Sequence, residues 1–255
     1  MRAKLVIGNW KLNGNFEFNE QLIGELSRVF GGKSPNMDQG IVAICPPAIY
    51  LQQCNGLLAD SSILLGGQDL SDETSGAFTG DISGIMLKEL GCKYVLVGHS
   101  ERRARYFESN ETVGKKALLA IKAGLTPVIC LGETAKERQE GLTEDVIGSQ
   151  LRAVIAVLQE NMSKVVIAYE PVWAIGTGLT ASPEQAQDVH RFIRFELAKF
   201  DEIIASKVQI LYGGSVKADN ATELFSMPDI DGGLVGGASL KAEEFLAICQ
   251  AGLVN

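Results

Sequence analysis

The chain has 255 residues, of which 46% are hydrophobic, and its formal net charge is −8. This length allows one or two domains and a sizeable core. The negative charge argues against a protein that coats nucleic acid or binds an anionic membrane, because such proteins carry basic patches. At first sight it also argues against an anionic substrate. Glycine is the outlier, with 28 of the 255 residues, about 11% against a usual ~7%.

The cysteines and the apolar runs predict the cellular compartment of the protein. The five cysteines, at positions 45, 54, 92, 130 and 249, form no C-x-x-C or Cys/His metal motif, so we expect reduced thiols and no metal site. The first apolar run is too short for a signal peptide, and no stretch approaches 18 apolar residues. We therefore expect a cytoplasmic protein without a membrane span.

Eight short apolar runs, rich in β-branched residues, recur along the chain. Near-continuous apolar runs are typical of parallel strands that are buried on both faces. Their starts lie 22 to 43 residues apart, which leaves room for a crossover helix each time. The predicted strands are Leu5–Ile7, Ile41–Ile44, Ile63–Leu65, Tyr94–Val97, Pro127–Cys130, Val165–Tyr169, Val208–Tyr212 and Leu234–Val235.

Amphipathic segments between these runs predict helices. Asp81–Leu90 precedes Gly91, and Asn110–Ala123 precedes Gly124, so a glycine stops each helix. Ser182 is a predicted N-cap for a helix that opens with Pro183 and carries His190 on its surface. The last predicted helix, Leu240–Gln250, ends at Gly252.

Strict alternation of eight strands and helices, without a linker, predicts one domain over residues 1–255, an α/β (βα)8 barrel of eight parallel strands surrounded by helices. An open doubly wound sheet is the alternative. It is disfavoured because the first strand is followed by residues 8–14, GNWKLNG, which do not fit the dinucleotide-binding pattern G-x-G-x-x-G.

In a barrel, chemistry is located where strands end and the following loops begin. Asn9 and Lys11 follow the first strand, and Lys11 is either a solvated loop charge or a cation for a phosphate or oxyanion.

His99 follows the fourth strand at the start of a helix. The positive end of a helix disfavours imidazolium, so a neutral imidazole could donate to a carbonyl, although a structural histidine is the alternative.

Glu170 directly follows the sixth strand, so we expect it to be partly buried, with a raised pKa that suits a general base. A salt-bridged structural glutamate is the alternative.

Residues 171–178, which follow Glu170, combine apolar side chains, including Trp173, with proline and glycine at the ends. This pattern is typical of a lid that closes and excludes water, although a rigid packed loop would also fit.

Two glycine pairs follow the seventh and eighth strands. Gly213-Gly214-Ser215 and Gly236-Gly237 each precede a predicted helix, and such turns can present backbone N–H groups to an anion. The loops after the last two strands are the usual phosphate position in barrels. One glycine pair alone is weak evidence, because tight turns require glycine as well.

Taken together, these motifs resemble the triosephosphate isomerase family over the whole chain: NWK at 9–11, GHSERR at 98–103, YEPVWAIGTG at 169–178, YGGS at 212–215 and GGAS at 236–239. The resemblance implies a TIM barrel that interconverts dihydroxyacetone phosphate and D-glyceraldehyde 3-phosphate without a metal or organic cofactor. It also implies that the pKa values of the catalytic groups are tuned by their surroundings and that a loop closes over the substrate.

By matching positions, the resemblance implies that Glu170 is the base, that neutral His99 is the electrophile, and that Lys11 and Asn9 stabilise the developing oxyanion. It also implies that the phosphate binds Gly176, Ser215, Gly236 and Gly237.

The resemblance assigns supporting roles to further residues. Glu101 would engage Lys11, although an ordinary surface glutamate is the alternative. Cys130 would pack near the catalytic carboxylate. Tyr212 and Ser215 would hold the lid shut by bonds to Ala181 and Gly178.

The resemblance further implies a homodimer, with residues 66–80 as the interface loop, although a flexible surface excursion is the alternative. Variation at Leu12 and Gly14 leaves the dimer affinity open. Two other functions stay open at this point: another phosphate-binding barrel, such as an isomerase of a phosphorylated amine, and a barrel without enzymatic activity. Neither would require lysine, histidine, glutamate and the glycine pairs together at the strand ends.

Overall fold

A closed barrel of eight parallel strands forms the centre of the molecule in the computed structural model, which describes residues 2–32, 40–175 and 180–253. Each strand pairs with the next, and β8 pairs with β1. The strands are β1 Leu5–Asn9, β2 Ile41–Cys45, β3 Leu64–Gly67, β4 Tyr94–Val97, β5 Thr126–Leu131, β6 Val166–Tyr169, β7 Gln209–Tyr212 and β8 Gly232–Val235. The (βα)8 barrel is therefore confirmed, and the open doubly wound sheet is excluded.

Helices follow every strand and surround the barrel. Over the described ranges they are α1 Phe16–Val29, α2 Leu51–Leu57, α3 Gly84–Glu89, α4 Ser100–Tyr106, α5 Asn110–Lys122, α6 Ala135–Gln139, α7 Thr143–Leu158, α8 Pro183–Phe200, α9 Glu202–Lys207, α10 Ala218–Ser226 and α11 Ala242–Leu253. None of these helices has the length and apolar character that a membrane span requires.

The hydrophobic core has two layers, one inside the barrel and one between the barrel and the helices. Side chains such as Leu5, Ile7 and Val128 fill its interior, whereas Val6, Ile129 and their neighbours point outward against the helices. The alternation along each strand supplies both layers, because successive side chains point to opposite faces. Both faces are therefore apolar, which explains why the strands read as continuous hydrophobic runs.

Two strands extend into glycines that the apolar pattern does not mark. β3 ends at Gly66–Gly67, and β8 begins at Gly232–Gly233. Gly232 has φ +136°, and a Cβ there would collide with the carbonyl oxygen of Leu5, its partner across the β1–β8 pairing. Glycine is therefore required where the barrel closes.

Helix ends are predicted with mixed success. Ser182 caps α8 as predicted and accepts a hydrogen bond from the Gln185 N–H at 3.2 Å. α3 begins three residues later than predicted, because Ser83 caps it instead. The predicted stop at Gly252 is wrong: α11 continues through it to Leu253, and the missing side chain lets the helix pack against Val6.

The closure of the barrel supplies a stability test. We expect Gly232→Ala to lower the free energy of unfolding by roughly 2–4 kcal/mol, because alanine resists the positive φ and its methyl group displaces the β1 backbone. Gly24→Ala is the matched control: Gly24 lies in α1 with open space around its Cα, and alanine there should stabilise the helix by about 0.5–1 kcal/mol. Urea unfolding measures both, and an unchanged midpoint for Gly232→Ala would contradict the role of this glycine.

Candidate active site

A cavity of about 450 Å³ opens at the carboxyl ends of the strands. Asn9 ends β1, His99 follows β4, and Glu170 follows β6, so barrel closure brings distant parts of the chain to one opening. The predicted site residues that line the cavity are Asn9, Lys11, His99, Glu170, Ser215, Gly236 and Gly237. Gly176 and Gly178 lie outside the described residues.

His99 and Glu170 are in direct contact inside this cavity. The Nε2 atom of His99 lies 2.9 Å from Oε1 of Glu170, and both side chains are buried. His99 also caps α4, where its Nδ1 accepts a hydrogen bond from the Glu101 N–H at 3.2 Å. An accepting Nδ1 carries no proton, so this arrangement fits an imidazole that donates from Nε2 to the carboxylate.

The direction of the His99 pKa differs from the sequence expectation. Burial and the helix start oppose imidazolium, but the adjacent Glu170 carboxylate, with Glu101, outweighs burial and raises the pKa of His99. The raised pKa depends on the Glu170 contact, which the sequence does not reveal. Without that contact, burial would be the main influence and would favour the neutral ring.

The expectation of a raised pKa for Glu170 is also wrong for this arrangement. The side chain is only 2% exposed, and burial alone would raise its pKa. However, Oε2 accepts a hydrogen bond from the Ser100 N–H at 2.9 Å, and His99 contacts Oε1. These donors, together with the charge of Lys11, lower the pKa of Glu170 and keep the carboxylate ionised.

Lys11 is fixed by its backbone. It has φ +52°, a left-handed conformation that is unfavourable for lysine. Its N–H donates to the Asn9 side-chain oxygen at 3.0 Å, and its carbonyl accepts from Gln68 at 2.8 Å. The ammonium group lies 2.8 Å from the Glu101 carboxylate. Backbone strain held by such contacts is typical of functional positions.

The two glycine pairs play different parts. The Gly213 N–H donates to the Tyr169 carbonyl at 2.7 Å, so it is not available to an anion as the sequence suggested. A Cβ at Gly213 would lie 2.9 Å from Cγ of Glu170, which shows that this glycine makes room for the acid. Gly236 and Gly237 line the cavity, where Gly237 begins a single 3₁₀ turn.

Cys130 and Tyr212 are buried near the site. Burial, with the nearby Glu170 charge, raises the pKa of the Cys130 thiol, as expected for a packing residue and not for a nucleophile. Burial likewise raises the pKa of Tyr212 to about 12, and the backbone of Ala181 lowers it in part. The Tyr212 hydroxyl lacks a well-formed hydrogen bond among the described residues, although it faces Ala181.

Glu133, which follows β5, was missed by the sequence reasoning. Its Oε1 accepts hydrogen bonds from the Tyr169 hydroxyl at 3.1 Å and the Trp173 indole at 3.0 Å, and Arg138 lies 3.1 Å away. Arg138 also stacks over the Trp173 ring at 4.5 Å. This buried carboxylate anchors the first residues of the predicted lid. Its position two residues after the end of β5, in a loop at the same face as Glu170, is the signal that could have identified it.

Two cavity residues carry charges that the sequence reasoning also missed. Lys217 and Lys241 are exposed residues that line the cavity together with the two glycine pairs. Lys11 is therefore one of three lysines that line the cavity. Within the described part of the chain, no group of three or more histidine, cysteine or acidic residues is placed to hold a metal ion.

A closed (βα)8 barrel with lysine, histidine and glutamate at its carboxyl face defines an enzyme whose site is built from the βα loops. A family model described as triosephosphate isomerase matches residues 4–252. The chain belongs to the triosephosphate isomerase family and is an isomerase.

Relatives support this assignment over nearly the full chain. The triosephosphate isomerase of Polynucleobacter asymbioticus is 54% identical over 255 residues, which cover 98% of this chain and 100% of that protein. The triosephosphate isomerases of Herminiimonas arsenicoxydans and Cupriavidus necator are each 54% identical over 252 residues, with the same coverage.

The second histidine was placed wrongly by the sequence. His190 is fully buried rather than on the outer surface of α8, and its ring packs 5.9 Å from Tyr169 and 6.3 Å from Tyr212. Its Nδ1 lies 3.2 Å from the Asp229 carbonyl. Burial lowers the pKa of His190 to about 3, so the ring is neutral and donates from Nδ1.

The lowered pKa of His190 predicts a pH dependence of stability. In the unfolded chain the ring binds a proton below about pH 6.5, whereas the folded protein resists it down to about pH 3, so stability is lost as the pH falls. Between pH 7.5 and 5.5, we expect this group to remove about 1.4 kcal/mol. Urea unfolding at both values should show a smaller loss for His190→Gln than for the unaltered protein. Equal losses would contradict the assignment.

Proposed function

We propose that the protein interconverts dihydroxyacetone phosphate and D-glyceraldehyde 3-phosphate through an enediol(ate), with Glu170 as base and neutral His99 as electrophile. The observation that carries this proposal is the contact of 2.9 Å between these two side chains in a cavity that Lys11 also lines. The reaction needs a base at carbon and a proton donor at oxygen, and this pair supplies both.

Every proton that moves in the proposed reaction has a donor and an acceptor. Glu170 removes a proton from the carbon next to the carbonyl, and the C–H electron pair forms the enediolate double bond. His99 donates its Nε2 proton to the carbonyl oxygen and then takes the proton of the neighbouring hydroxyl. Glu170 returns its proton to the other carbon, which forms the new carbonyl compound. No oxidant or external acid is consumed.

Substrate binding would change the basicity of Glu170. In the structure, His99 and the Ser100 N–H stabilise the carboxylate and lower its pKa. If the carboxylate turns from these donors toward the substrate carbon, it loses that stabilisation while it stays buried. Its proton affinity then rises at the moment when it must accept a proton. The same movement would remove the main influence that raises the pKa of His99.

Fixed charge and backbone groups would hold the rest of the substrate. Lys11 and Asn9 would stabilise the oxyanion, because preorganised charge is most effective where water is excluded. Ser215, Gly236, Gly237 and Gly176 would bind the phosphate through neutral donors.

Glu133 would act on the lid through Trp173. Its hydrogen bond to the indole holds the start of residues 171–178 in the arrangement described here. We propose that closure brings the lid to Tyr212 and Ser215, through Ala181 and Gly178, so that water cannot reach the intermediate.

Replacement of the base tests the mechanism. We expect Glu170→Gln to lower kcat by about 10³-fold, because the amide keeps the shape but cannot take the proton. Glu202→Gln, on the exposed start of α9, is the matched control and should leave kcat unchanged. A coupled dehydrogenase assay measures consumption of dihydroxyacetone phosphate, and turnover near the unaltered level in Glu170→Gln would refute the role of this base. Solvent deuterium should also enter the substrate carbon during turnover.

We also propose that the protein is a homodimer. Large apolar side chains are exposed near the ends of the first four strands, including Leu12 at 95%, Ile49 at 79% and Phe107 at 85%. Phe78, within residues 66–80 between β3 and α3, is 47% exposed. Exposed apolar groups in such numbers are typical of a protein interface. This surface flanks Lys11 and α4, so a partner would brace the site.

A charge in the loop should weaken the dimer. We expect a dimeric mass at micromolar concentration by light scattering, and a shift toward monomer for Phe78→Asp. Ile203→Asp is the control, since Ile203 is 66% exposed on α9, away from the loop. A monomeric mass for the unaltered protein would refute the assembly.

The proposal includes a cytoplasmic location. Its support is the set of five cysteines, which are all free and buried, as in proteins of a reducing compartment. Cell fractionation tests it, and recovery from an oxidising compartment would contradict it.

A further inference from the structure

The mouth of the cavity carries two lysines that the reaction does not use. Lys217 lies between β7 and α10, and Lys241 lies between β8 and α11. Both are exposed residues, and no ion pair found among the described residues involves either of them. Lys11, by contrast, is held at 2.8 Å from Glu101. Among the described residues, therefore, no carboxylate lies within ion-pair distance of these two ammonium groups.

The local charge of the cavity differs from that of the chain. Three lysines and two glutamates line it, which leaves an excess of one positive charge at the mouth, whereas the chain as a whole carries −8. The two carboxylates are engaged: Glu170 contacts His99, and Glu244 accepts a hydrogen bond from the Ala218 N–H at 3.0 Å. An approaching anion therefore meets repulsion over most of the surface and attraction at this opening.

We propose that Lys217 and Lys241 form a cationic rim that captures the phosphate group of the substrate as it approaches the cavity. This inference rests on the proposed function, because it takes a phosphorylated triose as the ligand. The rim accelerates association and does not stabilise the transition state, since the exposed ammonium groups stay hydrated. Lys11, which the backbone fixes beside Asn9, is the cation placed for chemistry.

The distinction between capture and chemistry has a kinetic signature. A charge that steers association changes kcat/KM and its dependence on salt, whereas a charge that acts in the transition state changes kcat. The attraction should be strongest at low ionic strength, where the screening length is about 30 Å at 0.01 M against about 8 Å at 0.15 M. Salt is therefore the variable that separates the two roles.

The test removes both rim charges in Lys217→Gln/Lys241→Gln and follows D-glyceraldehyde 3-phosphate at ionic strengths from about 0.01 to 0.2 M. We expect kcat/KM to fall about threefold to tenfold at the lowest salt, kcat to stay unchanged, and the slope of log(kcat/KM) against salt to become shallower. A fall in kcat of the same size as the fall in kcat/KM would overturn the proposal. An unchanged kcat/KM and slope would overturn it too.

A matched control separates the rim from the net charge. Lys122 and Lys207 are exposed residues that precede β5 and β7, so they lie at the opposite end of the barrel. Lys122→Gln/Lys207→Gln removes the same total charge and should leave kcat/KM and its salt slope close to those of the unaltered protein. If this control lowers both as much as the rim variant does, the effect belongs to net charge and the rim is refuted.

A binding measurement distinguishes failure of the rim from failure of the proposed function. The proposed function fails if the unaltered protein does not isomerise triose phosphates at any salt concentration. Calorimetry with inorganic phosphate at low salt tests the rim without catalysis: the Kd should rise about threefold or more in the rim variant and stay unchanged in the control. Equal phosphate affinity in all three proteins would overturn the rim, whatever the activity of the enzyme.

Discussion

The pairing of β8 with β1 is the constraint on which the rest of the structure depends. It turns eight strands into a ring, so that loops from the two ends of the chain share one opening. Gly236 and Lys11 illustrate this: a Cβ on Gly236 would lie 3.5 Å from Cε of Lys11, although most of the chain separates them. The closure needs Gly232 at positive φ, so one backbone position governs both the fold and the site.

The contact between His99 and Glu170 explains how a buried carboxylate stays ionised. Desolvation alone would make a carboxylate that is 2% exposed hard to ionise. The His99 ring and the Ser100 N–H offset that cost, because both donate to the carboxylate. These donors belong to the start of α4, which follows β4, whereas Glu170 follows β6. In the proposed reaction, the proton affinity of Glu170 would therefore depend on whether the carboxylate faces α4 or the substrate, and not on burial alone.

Local signals in the sequence sufficed for the strands and for the side chains that follow them. β4 was predicted with its observed bounds, and Lys11, His99 and Glu170 line one cavity because parallel strands end at one face. Prediction from the sequence failed for properties that depend on contacts between residues from different strands of the barrel. The pKa directions of His99 and Glu170 follow from their contact, which no local pattern encodes. Hydrophobic periodicity likewise missed the glycines of β3 and β8 and the burial of His190.

The acidic composition is compatible with an anionic substrate because potential at a site is set by nearby charges and dipoles. At physiological salt, exposed charges beyond about 8 Å are largely screened, so most of the net −8 is not felt inside the cavity. The groups that remain there are Lys11, His99 and Glu170, the backbone of Gly236 and Gly237, and the lysines at the mouth. Net charge describes the solubility of the whole surface, whereas recognition of a phosphate is decided within one screening length of the opening.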